Sequence, residues 1–249
     1  MSLSTTSVPI KGIEGETKSL TTTVGYVALK PGFNEVMAYA DKAWRIALGP
    51  KLMHALLYDG TNYTDYRESV TDRSSGTHLP LDGMTTSYKL YLGFSEPALG
   101  VYFDLHATNV NAINASLDVE YCSTAMAAGT ALAWTDVAGD SDGTLSGSAT
   151  LATDGVYTWT LPGTAWKPSA LGTWGAPIFS NCYWIRMTPS TTLSATIDVE
   201  EIIPVYQNAN YGYMAINTVY QMRLDTSKVG SLVVLAGENA TLNLSWLKY

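Results

Sequence analysis

Hydrophobic and polar residues alternate along much of the chain, which is the pattern of β-strands with one buried face. Residues 193–200 read Leu-Ser-Ala-Thr-Ile-Asp-Val-Glu, so four apolar side chains point to one face and four polar side chains to the other. The segment 50–57 is the best helical candidate, but it is short and can equally form an edge strand. The same alternation as in 193–200 recurs at 44–48, 101–105, 117–121 and 242–246.

Turn-forming residues separate these runs at the spacing of antiparallel sheets. A glycine follows an aspartate or a proline at Gly32, Gly60, Gly83, Gly143, Gly155 and Gly163. Short strands between such turns are typical of sandwiches and jelly rolls. The sequence therefore predicts an all-β fold, with an antiparallel β-sandwich or jelly-roll domain.

The density of strand signals divides the chain into three regions. Residues 1–24 are rich in Ser, Thr, Lys and Gly and are expected to form an extended N-terminal arm. Residues 25–87 and 206–249 carry strands but are too short for separate cores, so we expect one composite β module. Residues 88–205 are expected to form the sandwich domain, with strand candidates at Tyr88–Phe94, Gly100–Ala107, Ala115–Ser123, Ala131–Val137, Val156–Leu161, Tyr183–Thr188 and Leu193–Val205.

Composition and charge narrow the range of partners. With 46% hydrophobic and 14% charged residues the chain has the composition of a globular protein. No apolar run reaches the roughly 18–20 residues of a membrane span, and the first residues lack the pattern of a secretion signal. A net charge of −8 and 14 scattered Lys and Arg residues disfavour contact with phosphates. We therefore expect neither a membrane nor a nucleic-acid partner.

Motifs of enzymes and metal sites are not found in the sequence. There is no nucleophile elbow, phosphate-binding loop or dinucleotide fingerprint. The three histidines, His54, His78 and His106, do not have the spacing of a zinc site. The sequence therefore predicts a protein without enzymatic activity, cofactor or bound metal.

Two sets of polar residues leave alternatives open. Cys122 and Cys182 could form a disulfide, but each lies beside aromatic residues in a predicted strand, which favours two buried free thiols. One acidic cluster could supply oxygen ligands to calcium, although it is incomplete and Asp-Gly pairs are ordinary turn formers, so solvated turns are favoured. This cluster consists of Asp136, Asp140, Asp142 and Asp154.

Aromatic residues are the main candidates for binding. The chain has 7 Trp and 16 Tyr but only 4 Phe, a bias toward rings with a polar edge, which are common in interfaces and sugar-binding clefts. Trp166 and Trp174 lie in a loop rich in Pro and Gly and are candidates for contact with a protein or a ligand. Buried positions are expected for the tryptophans in predicted strands, Trp134, Trp159 and Trp184.

The C-terminal segment 240–247 alternates like a strand and contains Trp246. Such a strand either closes the composite module or adds to the sheet of a neighbouring subunit. Trp246 is therefore expected to be buried, either in a core or in an interface between subunits.

A series of aromatic-rich segments between turns extends through residues 134–195. It consists of Trp134-Thr135-Asp136, Ser141-Asp142-Gly143-Thr144, Gly155-Val156-Tyr157-Thr158-Trp159, Pro162, Trp166, Tyr183-Trp184-Ile185-Arg186 and Leu193-Ser194-Ala195. This series resembles β-sandwich domains of structural proteins from the virions of tailed bacteriophages. The resemblance implies a location in the virion. It also implies a role at the particle surface or in assembly, and not an enzymatic activity.

Two functions are compatible with these observations. The first is a capsid decoration or other head-surface protein, which would form a homo-oligomer and bind other virion subunits through its arm and sheet edges. The second is a tail or receptor-binding module that binds a host-surface glycan through exposed aromatic side chains. A sandwich fold is compatible with both. The lack of a shaft-like repeat in the sequence favours the first.

Overall fold

The computed structural model describes residues 12–21, 25–30, 32–71, 76–124, 132–171, 181–205, 212–226 and 228–248. In this part of the chain there are twenty β-strands and a 3-10 turn at Gly163–Ala165, and no α-helix. The prediction of an all-β fold is confirmed. The chain divides into two compact units, of which the first comprises residues 1–48 with 208–249 and the second residues 49–207.

The first unit contains two four-stranded sheets built from both flanks of the chain. Its strands, numbered in chain order over the whole protein, are β1 (Gly12–Leu20), β2 (Gly25–Ala28), β3 (Glu35–Ala40), β4 (Trp44–Pro50), β17 (Gly212–Met214), β18 (Tyr220–Arg223), β19 (Val229–Ala236) and β20 (Ala240–Lys248). The strand orders are β1-β20-β3-β18 and β17-β4-β19-β2.

Strand β20 is central to the core of the first unit. It pairs antiparallel with β1 on one side and β3 on the other. Its alternating sequence buries Leu242, Leu244 and Trp246, while Thr241 and Asn243 on the opposite face are exposed. The buried residues pack with apolar side chains of both sheets, and the Trp246 indole N–H donates to a Glu16 carboxylate oxygen at 3.0 Å. Trp246 is therefore buried in a core of its own chain.

Two expectations about the flanks are wrong. Residues 12–20 were expected to be part of an extended arm, but they form β1, because backbone pairing with β20 needs few apolar side chains. The composite module was expected to extend to residue 87, but the first unit ends at residue 48. The strands that follow belong to the second unit, since the one at Leu52–Tyr58 pairs with the one at Lys89–Phe94.

The second unit contains a seven-stranded and a five-stranded sheet. Its strands are β5 (Leu52–Tyr58), β6 (Tyr63–Asp65), β7 (Leu79–Pro80), β8 (Lys89–Phe94), β9 (Gly100–Leu105), β10 (Leu117–Cys122), β11 (Trp134–Asp136), β12 (Ala138–Asp142), β13 (Gly155–Thr160), β14 (Pro168–Ser169), β15 (Cys182–Pro189) and β16 (Asp198–Val205). The seven-stranded sheet has the order β11-β10-β15-β8-β5-β6, with β14 also paired to β15. The five-stranded sheet has the order β12-β13-β9-β16-β7.

The main core of the second unit combines side chains of both sheets, as expected for a sandwich. Phe94 and Ile185 come from the seven-stranded sheet, and Phe103 and Ile202 from the five-stranded sheet. The buried Trp159 indole N–H donates to the Ala98 carbonyl oxygen at 2.8 Å. This core is therefore apolar in its interior, and the backbone satisfies the Trp159 indole N–H.

Every strand candidate in residues 88–205 overlaps a strand of the structure. The last candidate is too long, because the strand begins at Asp198 and residues 193–197 lie outside it, although Leu193 and Ile197 are buried. The segment 50–57 falls largely in β5, so it forms a strand and not a helix, but the edge position is wrong because β5 lies between β8 and β6. Strands β12 and β14 were not predicted.

Trp246→Ala is expected to lower the free energy of unfolding by about 3–5 kcal/mol, because it opens a cavity in the core of the first unit. Urea denaturation followed by circular dichroism would measure the change. Val219→Ala is the matched control, since Val219 is 56% exposed in the same unit and its truncation should change the stability by less than about 0.5 kcal/mol. Equal unfolding midpoints for the two variants would contradict the assignment of Trp246 to the core.

Candidate functional site

The seven-stranded sheet carries a hydrophobic cluster on each of its faces. On the face away from the main core, Cys182 and Trp184 of β15 pack with Tyr91 of β8, Leu56 of β5 and Cys122 of β10. The members of this outer cluster are 7% exposed or less. Both faces of the sheet are therefore apolar near β15, and the chain itself covers the outer face at this cluster.

The position of Trp184 depends on a glycine in the neighbouring strand. Gly93 lies between Trp184 and His54 in the strand register, and a Cβ atom added at Gly93 would lie 2.8 Å from the indole ring. Only glycine therefore allows the indole to lie across this strand. His54 stacks on the indole with a centroid distance of 5.6 Å, and the indole N–H donates to the Ser169 carbonyl oxygen at 2.6 Å.

Beside this cluster the outer face opens into a cavity of about 290 Å³, which we call the aromatic cleft. Its rings form a continuous series: Tyr58 and Tyr63 have centroids 4.6 Å apart, Tyr63 and Tyr91 5.8 Å, and Tyr91 and Trp134 5.5 Å. Tyr58, Tyr63 and Trp134 are partly exposed, so their rings are accessible from the cleft. The complete lining of described residues is Tyr58, Tyr63, Tyr91, Leu132, Trp134, Leu171 and Arg186.

Among the described residues that line the aromatic cleft, one side chain is charged, and that charge is compensated. The Arg186 guanidinium donates two hydrogen bonds to the Glu120 carboxylate, one of them at 2.7 Å, and lies 4.8 Å from the Trp134 ring centroid. Burial opposes the charge of Arg186, but the hydrogen bonds to Glu120 outweigh this effect and raise the pKa of Arg186. Two of the five N–H groups bind Glu120.

The phenols of the aromatic cleft are neutral at neutral pH, as ordinary tyrosines are, so each carries a hydroxyl group that can both donate and accept a hydrogen bond. Burial raises the pKa of Tyr91 and that of Tyr63, which disfavours their ionisation further. The site thus combines flat apolar surfaces with neutral hydroxyls and one paired cation.

The predicted site residues occupy three different environments. Trp166 is only 2% exposed and packs against Phe94 and Trp159 in the main core, so its expected role in surface contacts is wrong. The turn Gly163–Ala165 directs the chain back onto the sheet, and the Trp166 indole N–H donates to the Trp184 carbonyl oxygen at 3.1 Å. Trp174 lies outside the described residues. Trp246 lies in the core of the first unit.

The sequence patterns missed the aromatic cleft itself. Trp134 was expected to be buried, but it lies on the short end strand β11 and is partly exposed. Trp159 and Trp184 are buried as expected. Tyr58 and Tyr63 flank the Asp59-Gly60 turn between β5 and β6 and are paired in the hairpin. This spacing around a turn is the one sequence signal from which the contact between their rings could have been predicted.

The other candidate residues do not form a second site. Cys122 and Cys182 are buried free thiols, as expected, and burial raises the pKa of Cys182 to about 11. Asp140, Asp142 and Asp154 accept hydrogen bonds from different partners, namely the Tyr157 hydroxyl, Thr144 and the Leu105 N–H. Within the described residues no group of three or more His, Cys, Asp or Glu side chains is placed to bind a metal.

Comparisons with known proteins identify no relative. No protein-family model matches the sequence, and neither the curated proteins nor the solved structures contain a significant match. The described residues contain no helix with the length and apolar character needed to cross a membrane. The resemblance of residues 134–195 to phage virion proteins therefore stays a prediction.

Gly93→Ala is expected to destabilise the second unit by about 1–3 kcal/mol, because the added Cβ displaces the Trp184 indole. Thermal melting followed by near-ultraviolet circular dichroism would detect both the loss of stability and the change around Trp184. Gly15→Ala on β1 is the control, since a Cβ there meets nothing within 4 Å. If the Gly93→Ala protein had the melting temperature and the near-ultraviolet circular dichroism spectrum of the parent, Trp184 would not lie over this glycine.

Proposed function

We propose that the protein is a non-enzymatic structural component of a virion that binds a host-surface carbohydrate in the aromatic cleft. The observation that carries the proposal is the series of four rings next to a paired arginine on one sheet face. Sugars present C–H faces that pack on aromatic rings and hydroxyls that bind polar groups, so they match both parts of the site.

The size of the aromatic cleft favours a short ligand. Its volume of about 290 Å³ is just below the roughly 300–1,000 Å³ found for small-molecule sites. A cleft of this size accommodates a terminal sugar unit better than an extended polysaccharide. This is the kind of recognition that a receptor-binding module requires.

The charge distribution favours a neutral sugar. Glu120 compensates the charge of Arg186, so the described lining of the aromatic cleft has no uncompensated cation to select a carboxylated or sulfated sugar. Arg186 lines the cleft and offers guanidinium N–H donors to the hydroxyl groups of a sugar. We therefore expect neutral hexoses to bind more tightly than acidic ones.

The virion assignment is supported by the resemblance of residues 134–195, which supply Trp134 and Arg186 to the aromatic cleft. Capsid decoration is the second candidate role within the same virion assignment. The observation that favours it is the long, exposed end strand β1 of the first unit, because such strands commonly mediate contacts between subunits. Both roles allow homo-oligomers and contacts with other virion proteins.

Trp134→Ala is expected to weaken carbohydrate binding at least about tenfold, because it removes one ring wall of the aromatic cleft and the ring beside Arg186. A glycan array would identify the best neutral ligand, and isothermal titration calorimetry would compare the variants. Leu161→Ala, which truncates an exposed side chain outside the aromatic cleft, should bind like the parent.

Thermal melting of both variants would show that any loss of binding is not a loss of folding. Failure of the parent protein to bind any neutral glycan, or unchanged binding by Trp134→Ala, would contradict the proposal. Release of free sugar from the bound glycan would contradict its non-enzymatic part.

A further inference from the structure

The first unit contains a cavity of about 760 Å³, which we call the end cavity. Residues 43–45, at the start of β4, line one part of it, and residues 235–238, at the end of β19 and just beyond, line another. At both places the chain crosses between the two sheets of the unit, from β3 to β4 and from β19 to β20. The volume of the end cavity lies well within the roughly 300–1,000 Å³ found for small-molecule sites.

Most of the described lining of the end cavity is apolar. Five of its residues carry no charge, namely Ala43, Trp44, Leu235, Ala236 and Gly237. A Cβ atom added at Gly237 would meet nothing within 4 Å, so the chain leaves open space beside this residue. The end cavity therefore suits a ligand with an apolar body.

Two donor groups in the lining have no acceptor in the described structure. Trp44 is only 1% exposed, and its buried indole N–H has no hydrogen-bond partner. The Arg45 guanidinium makes no ion pair or side-chain hydrogen bond with any described residue. Indole and guanidinium groups donate hydrogen bonds and cannot accept them, so a ligand of this cavity must supply acceptor atoms.

The charges around the end cavity favour an acceptor that is negatively charged. Glu238 also lines the cavity, but its carboxylate oxygen lies 3.6 Å from the Lys42 ammonium group, which compensates its charge. Arg45 has no such compensation among the described residues. Its planar guanidinium can bind both oxygens of a carboxylate at once.

We infer that the end cavity binds a small carboxylate with an apolar body. The Arg45 guanidinium binds the carboxylate group, and the apolar body packs against the uncharged residues of the lining. This site lies in the first unit, whereas the aromatic cleft lies in the second. The inference therefore does not depend on carbohydrate binding.

Nitrogen-15 NMR of the tryptophan indole groups tests the site, with hexanoate as the probe. The signal of Trp44 is the one that is missing from the spectrum of Trp44→Phe. Hexanoate is expected to shift this signal, because Trp44 lines the end cavity, and hexanol should shift it only at higher concentration. Trp246 is the internal control, since its N–H is bonded to Glu16 and it does not line the cavity.

Arg45→Gln is expected to weaken hexanoate binding about tenfold and to leave hexanol binding unchanged, because it removes the charge that binds the carboxylate. Arg45 is exposed, so this substitution should not affect folding, which thermal melting would check. Lys228→Gln is the matched control, since it removes one positive charge from an exposed residue of the same unit outside the described lining.

Three results would overturn the inference. The first is a Trp44 signal that hexanoate does not move. The second is equal hexanoate affinity in Arg45→Gln and the parent protein. The third is tighter binding of hexylamine than of hexanoate, because the carboxylate of Glu238 and not the guanidinium of Arg45 would then select the ligand.

Discussion

Strand β15 packs against hydrophobic residues on both of its faces, and the site in the second unit follows from that constraint. Ile185 and Met187 face the main core, while Cys182 and Trp184 face the outer cluster. A strand that is buried on both faces needs cover on the side away from the sandwich. The outer cluster provides this cover near Trp184, and the aromatic cleft begins where Arg186 follows in the same strand.

One row of paired residues determines the chemistry of the aromatic cleft. Across five neighbouring strands the register aligns Leu56, Tyr91, Arg186, Glu120 and Asp136. The row changes from apolar to aromatic to charged, so the ion pair lies beside the rings. Partial burial of such a pair carries a desolvation cost. In the proposed function, the pair would offset this cost by binding the hydroxyl groups of the sugar.

The fold was largely predictable from the sequence, whereas the site was not. Alternation and turn residues predict each strand locally, which is why β10, β15 and β20 were found. The aromatic cleft depends on cross-strand register, and no local pattern indicates that Tyr63 meets Tyr91 or that Arg186 meets Trp134. The polar composition of residues 1–24 likewise predicted an arm, although residues 12–20 form β1. This strand pairs through its backbone, so its sequence shows no alternation of hydrophobic and polar residues.

The central claim is that the rings of the aromatic cleft contact the C–H face of a neutral sugar. Saturation-transfer difference NMR with the unmodified protein and free neutral hexoses tests this contact most directly, because it reports which ligand protons approach protein side chains. The account predicts strong transfer to the protons on one face of the sugar ring and weak transfer to the opposite face. Transfer that is absent, or uniform around the ring for every hexose tested, would contradict it.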